Sequence, residues 1–125
     1  MSDKKKVFID GEITPDFIAS AIAKHQSKTD IGAHNIFLGQ VRADVIEGQT
    51  VSAIEFSCYE EMADPILYTI REETFQKFDL SCMHIYHSLG KVNVGEICFF
   101  VFVFVLDLLF LDLHDSAHIV GHGEC

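Results

Sequence analysis

The stretch Glu96-Ile97-Cys98-Phe99-Phe100-Val101-Phe102-Val103-Phe104-Val105-Leu106 decides between two architectures, a membrane span and a buried strand. Ile97 to Leu106 are all apolar, and after Asp107 the run Leu108-Leu109-Phe110-Leu111 carries on to Asp112. A spanning helix needs roughly 20 apolar residues. This run is shorter and is broken by an aspartate, and its phenylalanines and valines suit a pleated, buried surface. It reads as a strand inside a folded domain, with no membrane insertion.

Working outward, Leu89 to Gly95 contains the turn that feeds this strand, and Ser81 to Ser88 is the strand before it. A helix is expected from about Glu60 to Phe78, because Met62, Ile66, Ile70, Thr74 and Phe78 recur every four residues and mark a stripe to be buried. Asp64-Pro65 is awkward inside a helix, so the first regular turn is placed at Pro65. Val51 to Cys58 and Ala33 to Arg42 read as strands. Gly39, inside the second, marks a bulge or a close approach of another backbone or a ligand. Ala43 to Gln49 reads as a mobile loop. Near the start, Lys6 to Asp10 is a short strand, and Thr14-Pro15 opens a helix with a hydroxyl cap and a proline at the first helical position, running to about Gln26. The order β-α-β-β-α-β-β signals a compact α+β domain. Beyond Val105 the sequence is polar, bears glycine and reads as a tail, so residues 1–105 form the domain and 106–125 a divergent segment.

A chain of 125 residues supports one core. With 49% apolar and 22% charged residues it has an ordinary globular composition. The net charge of −10 repels nucleic acid and anionic lipid, which excludes a general nucleic-acid-binding role. Met1-Ser2-Asp3-Lys4-Lys5-Lys6 is followed by no apolar stretch of signal-peptide length, so the expected compartment is the cytoplasm. Cys58, Cys82, Cys98 and Cys125 show no C-x-x-C spacing and are expected to be reduced thiols. His84 and His87, three apart in a strand, should face opposite sides and serve structure. His114, His118 and His122 recur at four-residue spacing, but Gly121 and Gly123 disfavour the helix that would align them on a metal.

Three stretches carry a family resemblance. Gly32-Ala33-His34-Asn35-Ile36-Phe37-Leu38-Gly39-Gln40-Val41-Arg42 matches a G-A-x-x-x-F-x-G-x-V-R strand. Glu55-Phe56-Ser57-Cys58-Tyr59-Glu60-Glu61-Met62-Ala63 matches a strand-to-helix junction ending in Y-x-x-M-A. His84-Ile85-Tyr86-His87-Ser88-Leu89-Gly90-Lys91-Val92-Asn93-Val94-Gly95-Glu96 matches H-R-x-G-x-L-x-x-G-[DE], with Ser88 in place of the arginine. In this order they resemble the large, catalytic subunit of molybdopterin synthase over about residues 5–104.

The resemblance implies an α/β-hammerhead-like single domain, with a mixed or antiparallel sheet and two clear helices. It implies a homodimer that binds a ubiquitin-like small subunit on each copy, giving a heterotetramer. It implies a sulfurtransferase of molybdenum cofactor biosynthesis, with no resident cofactor and no metal. Sulfur from the thiocarboxylated tail of the small subunit passes to cyclic pyranopterin monophosphate to build the molybdopterin dithiolene. The family's substrate-contacting tripeptide falls on Gln40, Val41 and Arg42, with Gln40 where lysine is common, and Phe37 falls where the partner's tail enters.

The chemistry asks for a fixed cation, because both the pterin phosphate and the sulfur donor are anions. Arg42 supplies one as a permanently charged, bidentate fork and is the expected catalytic residue. Lys91 reads as a solvated turn lysine. Family members continue with a His-Arg pair, a helix and a W-K-[KR]-E motif that bring further cations. Here no Lys or Arg follows Lys91. Severely impaired catalysis is therefore expected, and the alternative is a homologue that only dimerises or binds the small subunit. A change of reading frame near Phe104 would account for the divergent end.

Overall fold

The computed structural model describes residues 7–78 and 80–105; the histidine-bearing tail lies outside them. Its centre is β7 (Ile97–Val105), where strict alternation sends Phe100, Phe102 and Phe104 to one face with no solvent exposure. Ile13 joins them in the core, and Ile18, Ala21 and Ile22 of α1 (Pro15–His25) pack against it. The Thr14 hydroxyl accepts a hydrogen bond from the Phe17 amide at 3.1 Å, satisfying a first-turn donor, and Pro15 follows at the position where a missing N–H costs nothing.

β7 lies between two antiparallel neighbours, β2 (Ala33–Gln40) and β6 (Cys82–Asn93), and β1 (Phe8–Asp10) runs parallel to β6. Besides β1, which pairs with His87 to Leu89, β6 serves two antiparallel partners in succession. Cys82 to His87 pair with β7, and Gly90 to Asn93 pair with β5 (Ala53–Phe56). The change of partner falls beside Gly90, whose φ of 85° is a left-handed conformation that costs a glycine little and most side chains more. The result is an α+β domain with a mixed sheet and two helices.

Four sequence expectations need correcting. The segment from Ala43 to Gln49 is not a plain loop. β3 (Val45–Ile46) and β4 (Gln49–Thr50) form a small hairpin around Glu47 and Gly48, whose positive φ values match the right-handed twist of paired strands. α2 begins at Glu60 and runs to Lys77 straight through Pro65, so the proline lies inside the helix. So near the helix start it removes a single intrahelical bond.

The third correction concerns the face that α2 turns inward. Of the expected stripe, Met62, Ile66, Ile70 and Phe78 stand 60%, 57%, 48% and 61% exposed and Thr74 is half-buried, while Ala63, Leu67, Arg71 and Phe75 on the neighbouring face are all half-buried. Arg71 sets this rotation: its Nε donates to the Met83 carbonyl of β6 at 3.3 Å and its guanidinium lies over the Phe75 ring. Fourth, Cys58 and Cys98 are free thiols as expected, but Cys82 is disulfide-bonded.

Gly39 behaves as its position in the strand suggested. The β2–β7 register shifts between Gly39 and Gln40, and a Cβ on Gly39 would stand 3.0 Å from the Phe99 Cβ. Contact at a neighbour's Cβ cannot be relieved by a rotamer change, so the two paired backbones would have to give by a few tenths of an ångström. Gly39→Ala is therefore expected to cost about 1–3 kcal/mol, read as a lower urea midpoint at unchanged slope. Phe102→Ala, which empties the centre of the core, is expected to cost about 3–5 kcal/mol in the same measurement.

Candidate functional site

The tripeptide Gln40-Val41-Arg42 leaves the end of β2 at the register shift, and its backbone is held from both sides. The Val41 amide donates to the Glu96 carbonyl at 3.0 Å, and the Gly95 amide donates to the Val41 carbonyl at 2.9 Å. Val41 is buried at 2% exposure, so it anchors the segment while its neighbours point out. The turn that holds it is itself fixed, because the Glu96 carboxylate accepts from the Asn93 amide at 2.9 Å. A one-residue peg between two exposed side chains is a stable way to present a cation at a strand end.

Arg42 is that cation. Its side chain is 83% exposed and lies against Asp44, with Nε to Oδ1 at 2.6 Å and Nη2 to Oδ2 at 3.2 Å. The hydrogen bond and the charge of Asp44 both raise the guanidinium further above its ordinary value, so it is cationic at every working pH. The fork grips this carboxylate at two points, the geometry a guanidinium offers to oxyanions in general. Asp44, two residues away at the root of the β3–β4 hairpin, was not anticipated from the sequence; an acid at i+2 in an irregular segment carries no signal of its own.

Phe37 stands 58% exposed on β2 and meets Phe99 edge to face at 5.9 Å. The structure thus leaves Phe37 and Gln40 on β2, and Arg42 just past its end, open to solvent, with Val41 buried between the last two. Lys91 is exposed too, opposite Glu55 in the β5–β6 register. Ser88, at the position where the family pattern has arginine, is fully buried, and its hydroxyl has no hydrogen-bond partner among the described residues. The Cys58 thiol is pushed up by desolvation and then by Glu60 and Asp64, which makes it a poor thiolate at neutral pH.

A cavity of about 400 Å³ lies elsewhere, between α1 and the sheet, lined by Phe17, Ser20, Lys24, His25, His84 and Tyr86 among others. Arg42 does not line it. His84 and His87 do face opposite sides: His84 packs against His25 and Phe104, and His87 against Phe56 and Phe99. The pairing of His25 with His84, 59 residues apart, was not foreseen. No helix among the described residues is long and apolar enough to cross a membrane.

Comparison with known proteins places this geometry. The model of the MoaE protein family matches residues 13–105. The molybdopterin synthase catalytic subunit of Aspergillus fumigatus is 35% identical over 86 residues, which are 68% of this chain and 45% of that protein. The subunit of the same description from Pyrococcus abyssi is 34% identical over 70 residues, 56% of this chain and 47% of that one. The match spans less than half the length of these relatives.

Among solved structures, the complex of subunits 1 and 2 of molybdopterin-converting factor from Helicobacter pylori contains a chain of like fold. It has a TM-score of 0.66 and 19% identity, covering 89% of this chain and 73% of that one. Molybdopterin synthase from Staphylococcus aureus superposes with a TM-score of 0.60 at 21% identity, covering 78% and 68%. With the family model spanning both the core strand and the Gln40–Arg42 segment, the chain belongs to the MoaE protein family.

Proposed function

We propose that this chain acts as the large subunit of molybdopterin synthase, in the cytoplasm, within molybdenum cofactor biosynthesis. In this reading sulfur passes from the thiocarboxylated carboxyl terminus of a ubiquitin-like small subunit to cyclic pyranopterin monophosphate. The observation that carries it is the family match over residues 13–105, which includes the anchored Gln40-Val41-Arg42 segment. Residues 1–105 are the working domain and 106–125 a divergent tail.

Each exposed group has a task in this scheme. Arg42 receives the anion, either the pterin phosphate or the thiocarboxylate, by exchanging it for the Asp44 carboxylate. Gln40 adds hydrogen bonds without charge, and Val41 keeps both in place. Phe37 offers an apolar wall to the incoming peptide tail. Ile36, Phe37 and Leu38 are exposed on β2, an end strand of the sheet among the described residues, and this supports association with a partner subunit and a second copy.

A second reading has its own support: residues 92–125 contain no Lys or Arg, so charge stabilisation at the site rests on few groups. In that reading the chain binds the small subunit and dimerises without turning over. Mixing the chain with thiocarboxylated small subunit and pterin precursor, and assaying dithiolene product, separates the two. The synthase reading expects product, reduced about 100-fold in Arg42→Ala and not restored by Arg42→Lys, which lacks the planar fork. Co-elution with the small subunit but no product establishes the binding-only reading, and neither product nor co-elution overturns both.

A further inference from the structure

The cavity of about 400 Å³ lies between one face of α1 and the sheet at β1 and β6. Phe17, Ser20 and Lys24 line it from the helix, spaced three and four residues apart and so on a common face. Ile9 of β1 and Tyr86 of β6 line it from the sheet. His25 and His84 border it as well, but they are hydrogen-bonded to each other through Nε2 at 3.1 Å, and His25 Nδ1 lies 2.8 Å from the Ala21 carbonyl oxygen. They serve as wall.

The other polar groups of the lining are uncommitted. Among the described residues, the Lys24 ammonium, the Ser20 hydroxyl and the Tyr86 phenol make no hydrogen bond or ion pair. Burial alone raises the Tyr86 phenol, as expected for a hydroxyl in apolar surroundings with no charged neighbour. The chain carries 19 acidic residues against nine basic ones, yet no Asp or Glu is among the described residues that line the cavity. Lys24 therefore makes the cavity locally favourable to an anion in a chain whose overall field repels one. An ammonium beside two hydroxyls can donate to both oxygens of a carboxylate, and hydrogen bonds to an ionised acceptor are the strong ones.

The remaining wall is aromatic and held by the core. Phe17 meets Tyr86 edge to face at 5.0 Å and Phe100 at 6.3 Å, and Tyr86 stacks on Phe100 at 5.5 Å. Phe100 has no exposed surface, so these rings stand on a fixed base. Phe17 nonetheless keeps 36% of its surface in contact with solvent, area that a flat apolar ligand would cover. The volume lies within the range of small-ligand pockets, and an apolar lining with a few polar groups is their usual make-up.

We propose that this cavity binds a small aromatic carboxylate, its ring against Phe17 and Tyr86 and its carboxylate on Lys24, Ser20 and the Tyr86 hydroxyl. Both halves of the ligand are required. An aliphatic acid gains nothing from the aromatic wall, and a neutral aromatic leaves the ammonium without its counter-charge. Arg42 does not line the cavity, so the inference stands whether or not the sulfur-transfer reading does.

Titration of the full chain with benzoate, followed by ¹H–¹⁵N amide spectra, tests the site. Saturable shifts are expected from Phe17 to His25 and around Tyr86, at millimolar concentration or below, as a ligand of this size allows. Benzamide keeps the ring without the charge, and acetate the charge without the ring; each should bind about tenfold more weakly. Lys24→Met should weaken benzoate by about tenfold and leave benzamide unchanged. Arg42→Ala should leave the benzoate affinity as it is. Equal binding of benzoate and either comparator, shifts confined to the Arg42 corner, or no saturable shift would overturn the site. The three probes are compared on the unaltered chain, which decides the matter even where Lys24→Met fails to fold.

Discussion

Burial of one face of β7 is the constraint on which the rest of the molecule depends. Phe100, Phe102 and Phe104 have no exposed surface, and α1 lies across them through Ile18, Ala21 and Ile22. Because side chains alternate along a strand, the same choice fixes Phe99, Val101, Val103 and Val105 on the opposite face. A slip of one residue would exchange three phenylalanines for valines in the core and expose the rings. β7 also has a ladder on each edge, to β2 and β6, so its register is transmitted across the sheet.

The candidate site inherits its position from that register. The ladder between β2 and β7 runs regularly from Ala33 to Gly39, then shifts, and Gln40 pairs with Ile97. At the shift the chain can no longer follow the strand, and Val41 drops into the turn between β6 and β7, where Gly95 and Glu96 hold it. Arg42 emerges from this corner already oriented. Gly39 makes the corner possible by letting the Phe99 Cβ approach where a methyl group would stand 3.0 Å away. The cation is thus placed by backbone contacts on each side of it, and its exposed side chain owes little to packing.

What was legible in the sequence divides along physical lines. β7 was legible because ten consecutive apolar residues, rich in phenylalanine and valine, have few alternatives to a buried strand. α1 was legible because Thr14 and Pro15 act locally, through one side-chain bond and one fixed dihedral. The inward face of α2 was not legible. A four-residue recurrence of Met62, Ile66 and Ile70 is the ordinary mark of a core stripe, but Arg71 reaches the Met83 carbonyl from the opposite side and turns the helix. That bond joins residues of two different elements, and no periodicity encodes it. The β3–β4 hairpin was missed for its brevity, at two residues per strand. The position of Arg42 was read from motif context, whereas its contact with Asp44 and the meeting of His25 with His84 depend on the tertiary fold.

The electrostatics of the site follow from the charge of the whole chain. With a net charge of −10, an approaching anion meets a repulsive field, and screening at physiological salt confines that field to about 8 Å from the surface. Inside that distance the local arrangement decides, and there Arg42 stands beside Asp44 as a neutral pair. A singly charged carboxylate gains little by displacing another of the same kind. A doubly charged anion such as a phosphate dianion can compete where a free carboxylate does not. Any anion that binds at this corner must therefore displace the Asp44 carboxylate, which holds the Arg42 fork at 2.6 and 3.2 Å.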